Sequence, residues 1–333
     1  MEKRAPFLSR KNWPSLLATL GLALVASFVL RALSGERRAA GPRACPSHTP
    51  HTPPALPGGY AARRPTSRPA APAASVASKD RDVFLVPDAP GIELHWLRHN
   101  ATSPCHLKVL VAQTVEPGPF KALLDASLPV NQAYAQERGY DYVSLTGVAY
   151  GGLNRMATFN KIFLLDMVER MGQYDVVFYL DADAMVVNPG LRVEEVAPPW
   201  ALLTASRGRK DRRWDVNAGV FLWNLRHPRS HELLGKWKDA AVAGIQRGAA
   251  DDQKLLQRLL RNLSRAEQQL MLRTYMGAEY NYINYDGPNV RHFLRMTSSK
   301  DWSASTVTDR VAAMQRVIEE LHLKQLPAAP RRC

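Results

Sequence analysis

Cysteine is scarce in this chain. Cys45, Cys105 and Cys333 are the only three in 333 residues, too few for a small fold stapled by disulfides. No two of them stand at the short spacing of a zinc ribbon, and their pairing stays open. Acidic residues are in deficit, 30 Asp and Glu against 44 Lys and Arg, but the excess is unevenly placed. Residues 1–80 hold twelve Lys or Arg and three Asp or Glu, whereas residues 81–333 hold 32 against 27. A nucleic-acid enzyme carries its positive charge on the folded surface that meets phosphate. Here most of it lies outside the part expected to fold, so a nucleic-acid partner is set aside. No internal repeat is apparent. With 46% hydrophobic residues the bulk is neither disordered nor collagen-like, and the length suits one large domain with appendages, or two modest ones.

Charge is absent from Trp13 to Leu30, an apolar run of about eighteen residues preceded by Lys3, Arg4, Arg10 and Lys11. As a helix it spans roughly 27 Å, enough for a thin bilayer. The basic flank argues for a cytosolic tail at 1–12, a signal anchor at 13–32 and a lumenal bulk. A cleaved signal peptide, with Ala32 and Ser34 near the cut, is the competing reading. Large apolar side chains are almost missing from residues 33–80, which are rich in Pro, Ala and Arg. Such a segment cannot offset ordering entropy by burial and reads as a tether. Anchor, stem and a domain over 81–333 form the layout of a Golgi-resident type II membrane enzyme. The sequons at Asn100 and Asn262 agree with it.

From Leu107 onward short apolar runs alternate with helical stretches. Strands are expected at Lys108–Ala112, Tyr140–Leu145, Tyr174–Leu180, Trp200–Thr204 and Ala218–Trp223. Helices are expected at Phe120–Arg138 (interrupted near Pro129), Phe159–Gly172, Ser230–Ala243 and Asp251–Leu260. This alternation argues an α/β fold with a mixed, mostly parallel sheet flanked by helices, of the Rossmann-like kind that binds ligands beyond its strands' carboxyl ends.

The third strand ends in Asp181-Ala182-Asp183. On an extended chain the side chains at i and i+2 point the same way, so two carboxylates would stand side by side and repel. A divalent cation relieves the repulsion and bridges to a diphosphate. A surface turn with one capping and one solvated aspartate is the plainer alternative, but the position directly after Phe178-Tyr179-Leu180 favours metal. Asn217-Ala218-Gly219 opens a strand, and its small residues permit close approach to a ligand while the amide suits sugar hydroxyls. Asp251-Asp252-Gln253 starts a helix, where capping explains one aspartate but need not explain both. His292, after the aromatic loop at 279–287, is a nitrogen ligand only if the carboxylates need a partner. Trp214 is either a platform for a sugar ring or core. Two other readings of the Asp-x-Asp strand compete. One is a haloacid-dehalogenase-type phosphatase, though Met185 stands where that class has Thr or Val. The other is a lectin-like or catalytically degenerate glycan-binding protein.

Taken in order, Asn131, Tyr134, Ala135 and Gly139-Tyr140-Asp141-Tyr142, the helix with Lys161, then Asp181-Ala182-Asp183, Asn217-Ala218-Gly219, Asp251-Asp252-Gln253 and His292-Phe293 resemble glycosyltransferase family 34. That family includes yeast galactosyl- and mannosyltransferases and plant xyloglucan xylosyltransferases; the likeness runs over residues 107–295. A more distant likeness is to the family-8 transferases such as glycogenin. The resemblance implies a GT-A fold and retaining transfer of a hexosyl or pentosyl unit from a nucleotide-diphosphate sugar (UDP-Gal, UDP-Xyl or GDP-Man) to a glycan or polysaccharide acceptor, with Mn²⁺ as cofactor. It implies Asp181, Asp183 and His292 at the metal, Asn217, Ala218 and Gly219 along the donor sugar, and Asp252 and Gln253 at the reacting centre. The pattern departs after His292-Phe293, where Leu294-Arg295-Met296-Thr297 replaces the family's Gly-Cys and basic residue. Arg295 and Lys300 are the cations left there for the diphosphate, and Lys300-Asp301-Trp302 is faintly like the family-8 ending.

Overall fold

The computed structural model describes residues 91–99, 107–150, 154–208, 212–248, 251–275, 282–294 and 304–325. All belong to the unit that contains Leu85–Cys333; a second unit, Arg38–Phe84, lies outside the described residues, as do the expected tail, anchor and stem and all three cysteines. Among the described residues no helix is long and apolar enough to cross a membrane.

Nine strands and seven α-helices follow one another along the described chain. They are β1 (Glu93–Leu97), β2 (Val109–Val115), α1 (Lys121–Arg138), β3 (Asp141–Thr146), α2 (Asn160–Met171), β4 (Val176–Asp181), β5 (Ala184–Val186), α3 (Val193–Val196), β6 (Leu203–Arg207), β7 (Val216–Asn224), α4 (Ser230–Gln246), α5 (Asp252–Arg261), α6 (Arg265–Met271), β8 (Leu272–Tyr275), β9 (Val290–His292) and α7 (Ala304–Gln325). Seven strands form one sheet in the order β1-β3-β2-β4-β7-β6-β8, and β5 pairs with β9 in a small second sheet. The β3–β2, β2–β4 and β6–β8 pairs are parallel; β1–β3, β4–β7 and β7–β6 are antiparallel. The α/β class holds, but the mostly parallel sheet does not, since half of the pairings are antiparallel. The cause is that β6 returns directly through a loop into β7, and β7 inserts beside β4; only helical crossovers force a parallel pair.

β2 is buried along its whole length, β4 up to Leu180, and β7 at all but its Asn217 and Asn224 positions, which explains their near-continuous apolar sequences. Val176, Phe178 and Leu180 face a core with Val220, Leu222 and, from α1, Tyr134 and Ala135. Val177 and Tyr179 alternate with them and face the other way, where Tyr179 stacks on Phe221 at 5.1 Å and Phe221 meets Trp237 of α4 at 6.3 Å. By this parity Asp181 points to the layer that holds α2 and α4.

α1 runs unbroken through Pro129, contrary to the expected interruption. A proline removes one hydrogen bond and crowds the preceding turn, but tertiary anchors hold the helix on both sides of it. The Ser127 hydroxyl donates to Ala182 O at 2.8 Å, and fully buried Asn131 donates to Ala184 O and accepts from Val186 N, each at 2.9 Å. The helix ends at Gly139, whose φ of 72° suits glycine and whose N–H caps the last turn. The segment that carries the family resemblance is therefore a brace. Tyr134 donates to Leu191 O at 3.0 Å and Tyr140 to Glu194 at 2.6 Å, so with Asn131 they fasten the chain that follows Asp183. Asn131→Leu strands one buried acceptor and one buried donor of β5. The expected loss is roughly 2–4 kcal/mol in urea unfolding; a change within about 0.5 kcal/mol, the scatter of ordinary surface substitutions, would show that β5 does not depend on it.

Candidate active site

β4 ends at Asp181, and Ala182-Asp183 form the turn into β5. The two carboxylates are thus not successive same-side residues of one extended strand, as the i, i+2 spacing suggested. They converge for a different reason. β5 pairs with β9 in a register that sets Ala184 against His292, and Phe293 N donates to Asp183 O at 2.8 Å. This ladder brings the imidazole from 109 residues away onto the turn, with His292 Nε2 at 3.1 Å from Asp183 Oδ1 and 3.9 Å from Asp181 Oδ2. One donor atom from each of Asp181, Asp183 and His292 lies within 4.8 Å of the others, and these three form the one such group among the described residues.

The opposite wall is β7. Its pairing with β4 sets Leu180 against Val220, so Gly219 sits next to Asp181. A Cβ on Gly219 would stand 2.3 Å from His292 Cε1 and 2.6 Å from Asp181 Oδ2. Glycine is required there because any side chain would fill the space between the donors. Asn217 Oδ1 accepts from Gly219 N at 2.8 Å and from Asn284 Nδ2 at 2.9 Å. Asn284 Oδ1 in turn lies 2.8 Å from His292 Nδ1. Because Asn284 Oδ1 is an acceptor, neutral His292 carries its proton on Nδ1 and aims the Nε2 lone pair at the carboxylates, as a metal-binding imidazole must. Tyr285 beside it adopts φ 55°, a strained value for a non-glycine residue, and its carbonyl accepts from His292 N.

Lys161 of α2 spends all three of its donors here: on Asp181 Oδ1 at 3.0 Å, on Asp252 Oδ2 at 2.8 Å and on Ala218 O at 3.0 Å. Burial pushes its ammonium down, but the two carboxylates more than reverse this and hold it well above the usual lysine range. Burial pushes the Asp252 carboxyl up, and Lys161 offsets only part of that. Burial also opposes charge on Asp183, yet His292 and Arg310 hold its carboxyl below the usual range. Burial favours neutral His292, and Asp183 outweighs this to lift its pKa. Gln253 Oε1 accepts from Ala218 N at 3.0 Å, which joins the start of α5 to β7. Asp251 is the N-cap of α5, accepting from Lys254 N, so the capping reading fits Asp251 and the buried ion pair claims Asp252.

Every residue singled out in Asp-x-Asp, Asn-Ala-Gly and Asp-Asp-Gln, together with His292, therefore borders one open cleft of 1870 Å³. Trp214 lines it too. Arg295 and Lys300 lie outside the described residues. Three contributors carried no assigned role in the sequence reading: Lys161, Asn284 and Arg310, whose guanidinium from α7 binds Asp183 Oδ2. A lysine inside an amphipathic helical pattern is a faint signal. Arg310 gives none, because its position depends on how Val307, Met314 and Val317 of α7 pack against Ala182 and Met185.

No protein-family model and no curated protein matches the chain. Solved structures that it resembles include a glycosyltransferase involved in the glycosylation of the major capsid of PBCV-1 (12% identity, 63% of this chain and 99% of the other, TM-score 0.45). They also include the glycosyltransferase GlyE of Streptococcus pneumoniae TIGR4 (17% identity, 68% and 66%, TM-score 0.39) and the galactosyltransferase LgtC in complex with donor and acceptor sugar analogs (16% identity, 65% and 99%, TM-score 0.32).

Two outcomes test the donor set. Gly219→Ala should abolish divalent-cation binding, and Asn284→Ala should weaken it about 10- to 100-fold, the usual effect of losing a ligand's orienting partner. Titration of Mn²⁺ followed by electron paramagnetic resonance reads both; wild-type affinity in both variants would remove the imidazole from the site. Because Asp183 raises the His292 pKa, a bound cation displaces a proton, so affinity should rise with pH; a flat profile from pH 5.5 to 8 contradicts this.

Proposed function

We propose that this protein is a divalent-metal-dependent glycosyltransferase that moves a sugar from a nucleoside diphosphate to a hydroxyl of a glycan. The observation that carries this reading is the convergence of Asp181, Asp183 and His292 around the space that Gly219 leaves open. Two carboxylates and one imidazole form a hard, oxygen-rich donor set that suits Mn²⁺. They are the residues that would hold the ion, which when bound neutralises the diphosphate and supports its departure.

The chain's own groups divide the remaining work. Asn217, with Oδ1 committed to Gly219 and Asn284, keeps its Nδ2 for a hydroxyl of the donor sugar. Lys161 and Gln253 hold the carbonyl and the N–H of Ala218, which fixes the backbone beside that sugar. Arg310 supplies a second positive charge for the diphosphate, the role for which Arg295 and Lys300 stood in the sequence. Asp252 is buried and tied to Lys161, which suits electrostatic support at the reacting carbon; Gln253 keeps its Nε2 for the acceptor side. In the retaining course that family 34 implies, the acceptor hydroxyl attacks on the face the diphosphate leaves, and the departing phosphate oxygen takes its proton. The same reading places residues 1–12 in the cytosol, 13–32 in the Golgi membrane, 33–80 as a stem and the catalytic unit in the lumen.

The test is a thermal-shift screen of the full chain with UDP-galactose, UDP-xylose and GDP-mannose, with and without Mn²⁺. One donor should raise the melting temperature only with metal, and a ligand at a hundred times its Kd stabilises by about 2.7 kcal/mol. Asp183→Asn should erase that shift and the accompanying release of nucleoside diphosphate, and Arg310→Ala should weaken donor binding about tenfold, in line with loss of a charge-assisted contact. Metal-independent binding of glycans without turnover, or Mg²⁺-dependent cleavage of phosphoesters, would overturn the assignment.

A further inference from the structure

α5 begins at Asp252 in the site and runs outward along the lip of the cleft. Its sequence, DQKLLQRLLR, buries Leu256 and Leu260 on one side. Lys254, Arg258 and Arg261, at positions i, i+4 and i+7, share another stripe and border the cleft. All three are exposed. The helix is registered on the sheet by Gln257, which donates to Val216 O at 3.0 Å. At 1.5 Å per residue, Arg258 and Arg261 lie roughly 9 and 14 Å beyond Asp252 along the helix axis.

Basic residues in the last turn of a helix complement its dipole, which is the plainer explanation for Arg258 and Arg261. That explanation also covers Arg138 of α1 and Arg170 of α2, but those two are ion-paired, with Glu137 at 2.7 Å and Asp166 at 3.0 Å. Arg258 has no ionic partner among the described residues. Among the described residues Lys254 pairs with Asp251 alone, at 3.1 Å and with its side chain 69% exposed. Arg261 is held over the Trp214 ring at 5.9 Å, which pre-orients a guanidinium without neutralising it. Across the cleft, the carboxylates of Asp181, Asp183 and Asp252 are already matched by Lys161, His292 and Arg310. Arg258 and Arg261, which no carboxylate of the described residues pairs, therefore leave positive charge exposed on this stretch of the lip.

We propose that the acceptor is an anionic glycan, whose carboxylate or sulfate groups are met by Arg258 and Arg261 on the lip of the cleft. This rests on the reading of the cleft as a site of glycosyl transfer, and the two are separable by experiment. Size-matched probes are tetragalacturonate for a uronate, a heparin-derived tetrasaccharide for a sulfate and neutral maltotetraose. Isothermal titration is made with the full chain and Mn²⁺ at low and at physiological salt. One or both anionic probes should bind at least tenfold more tightly than maltotetraose, with the preference shrinking as salt rises. The double variant R258Q/R261Q should lose about tenfold in affinity for the anionic probe, as expected for two exposed charge contacts, and R258K/R261K should restore most of it. Equal binding of neutral and anionic probes, or a preference that survives in R258Q/R261Q, overturns the proposal. An anionic preference in a chain that binds no nucleotide sugar supports the lip and counts against glycosyl transfer; donor turnover with neutral acceptors favoured does the reverse.

Discussion

The constraint on which the site depends is electrostatic: Asp181, Asp183 and Asp252 border one cleft at the end of a buried strand. Carboxylates in such a place repel one another and lose hydration, so each must be paired. Lys161 joins Asp181 to Asp252, while Asp183 is held between His292 and Arg310. The first arrangement is closed, because the ammonium has used every donor and is almost wholly buried. The second is built from groups that exchange partners. An imidazole gives up a proton for a metal, and a guanidinium on a long stem accepts a phosphate as readily as a carboxylate. In the proposed function, a fixed cation on one side and replaceable cations on the other would set where a divalent ion and an anionic ligand enter.

The fold serves this arrangement by bringing distant segments to the end of β4. Antiparallel insertion of β7 sets the amino end of that strand, with Asn217, Ala218 and Gly219, beside the carboxyl end of β4. The short β5–β9 ladder delivers His292, and α7 delivers Arg310 by packing its apolar stripe over Ala182 and Met185. Asn131, Tyr134 and Tyr140 stand outside the cleft and brace the chain between Asp183 and α3. The segment from Asn131 to Tyr142 thus supports the site from outside the cleft.

Much of this was legible in the sequence because the central strands are nearly pure apolar runs. Helix α2 and strand β4 lie within two residues of their expected bounds, and the marked acidic, amide and imidazole residues meet in one place. That half of the pairs in the mixed sheet are antiparallel was not legible, since hydrophobic pattern identifies a strand but not the direction of its neighbour. Strands β1, β5, β8 and β9 also escaped. They are three to five residues long, too short to show a period, and they exist through pairing rather than propensity. The continuity of α1 through Pro129 is likewise tertiary, held by Ser127 and Asn131. Arg310 illustrates the same limit for the site. Nothing near it in the chain marks it, and only the docking of α7 carries it to Asp183.

The most direct measurement is anomalous diffraction at the manganese edge from crystals grown with Mn²⁺ and a nucleoside diphosphate. One peak is expected within about 2.0–2.6 Å of a carboxylate oxygen of Asp183 and of His292 Nε2, with diphosphate oxygens on its open side and the Arg310 guanidinium turned towards them. A diphosphate bound with no metal at this position, or manganese held elsewhere with Arg310 still on Asp183, would contradict the central claim.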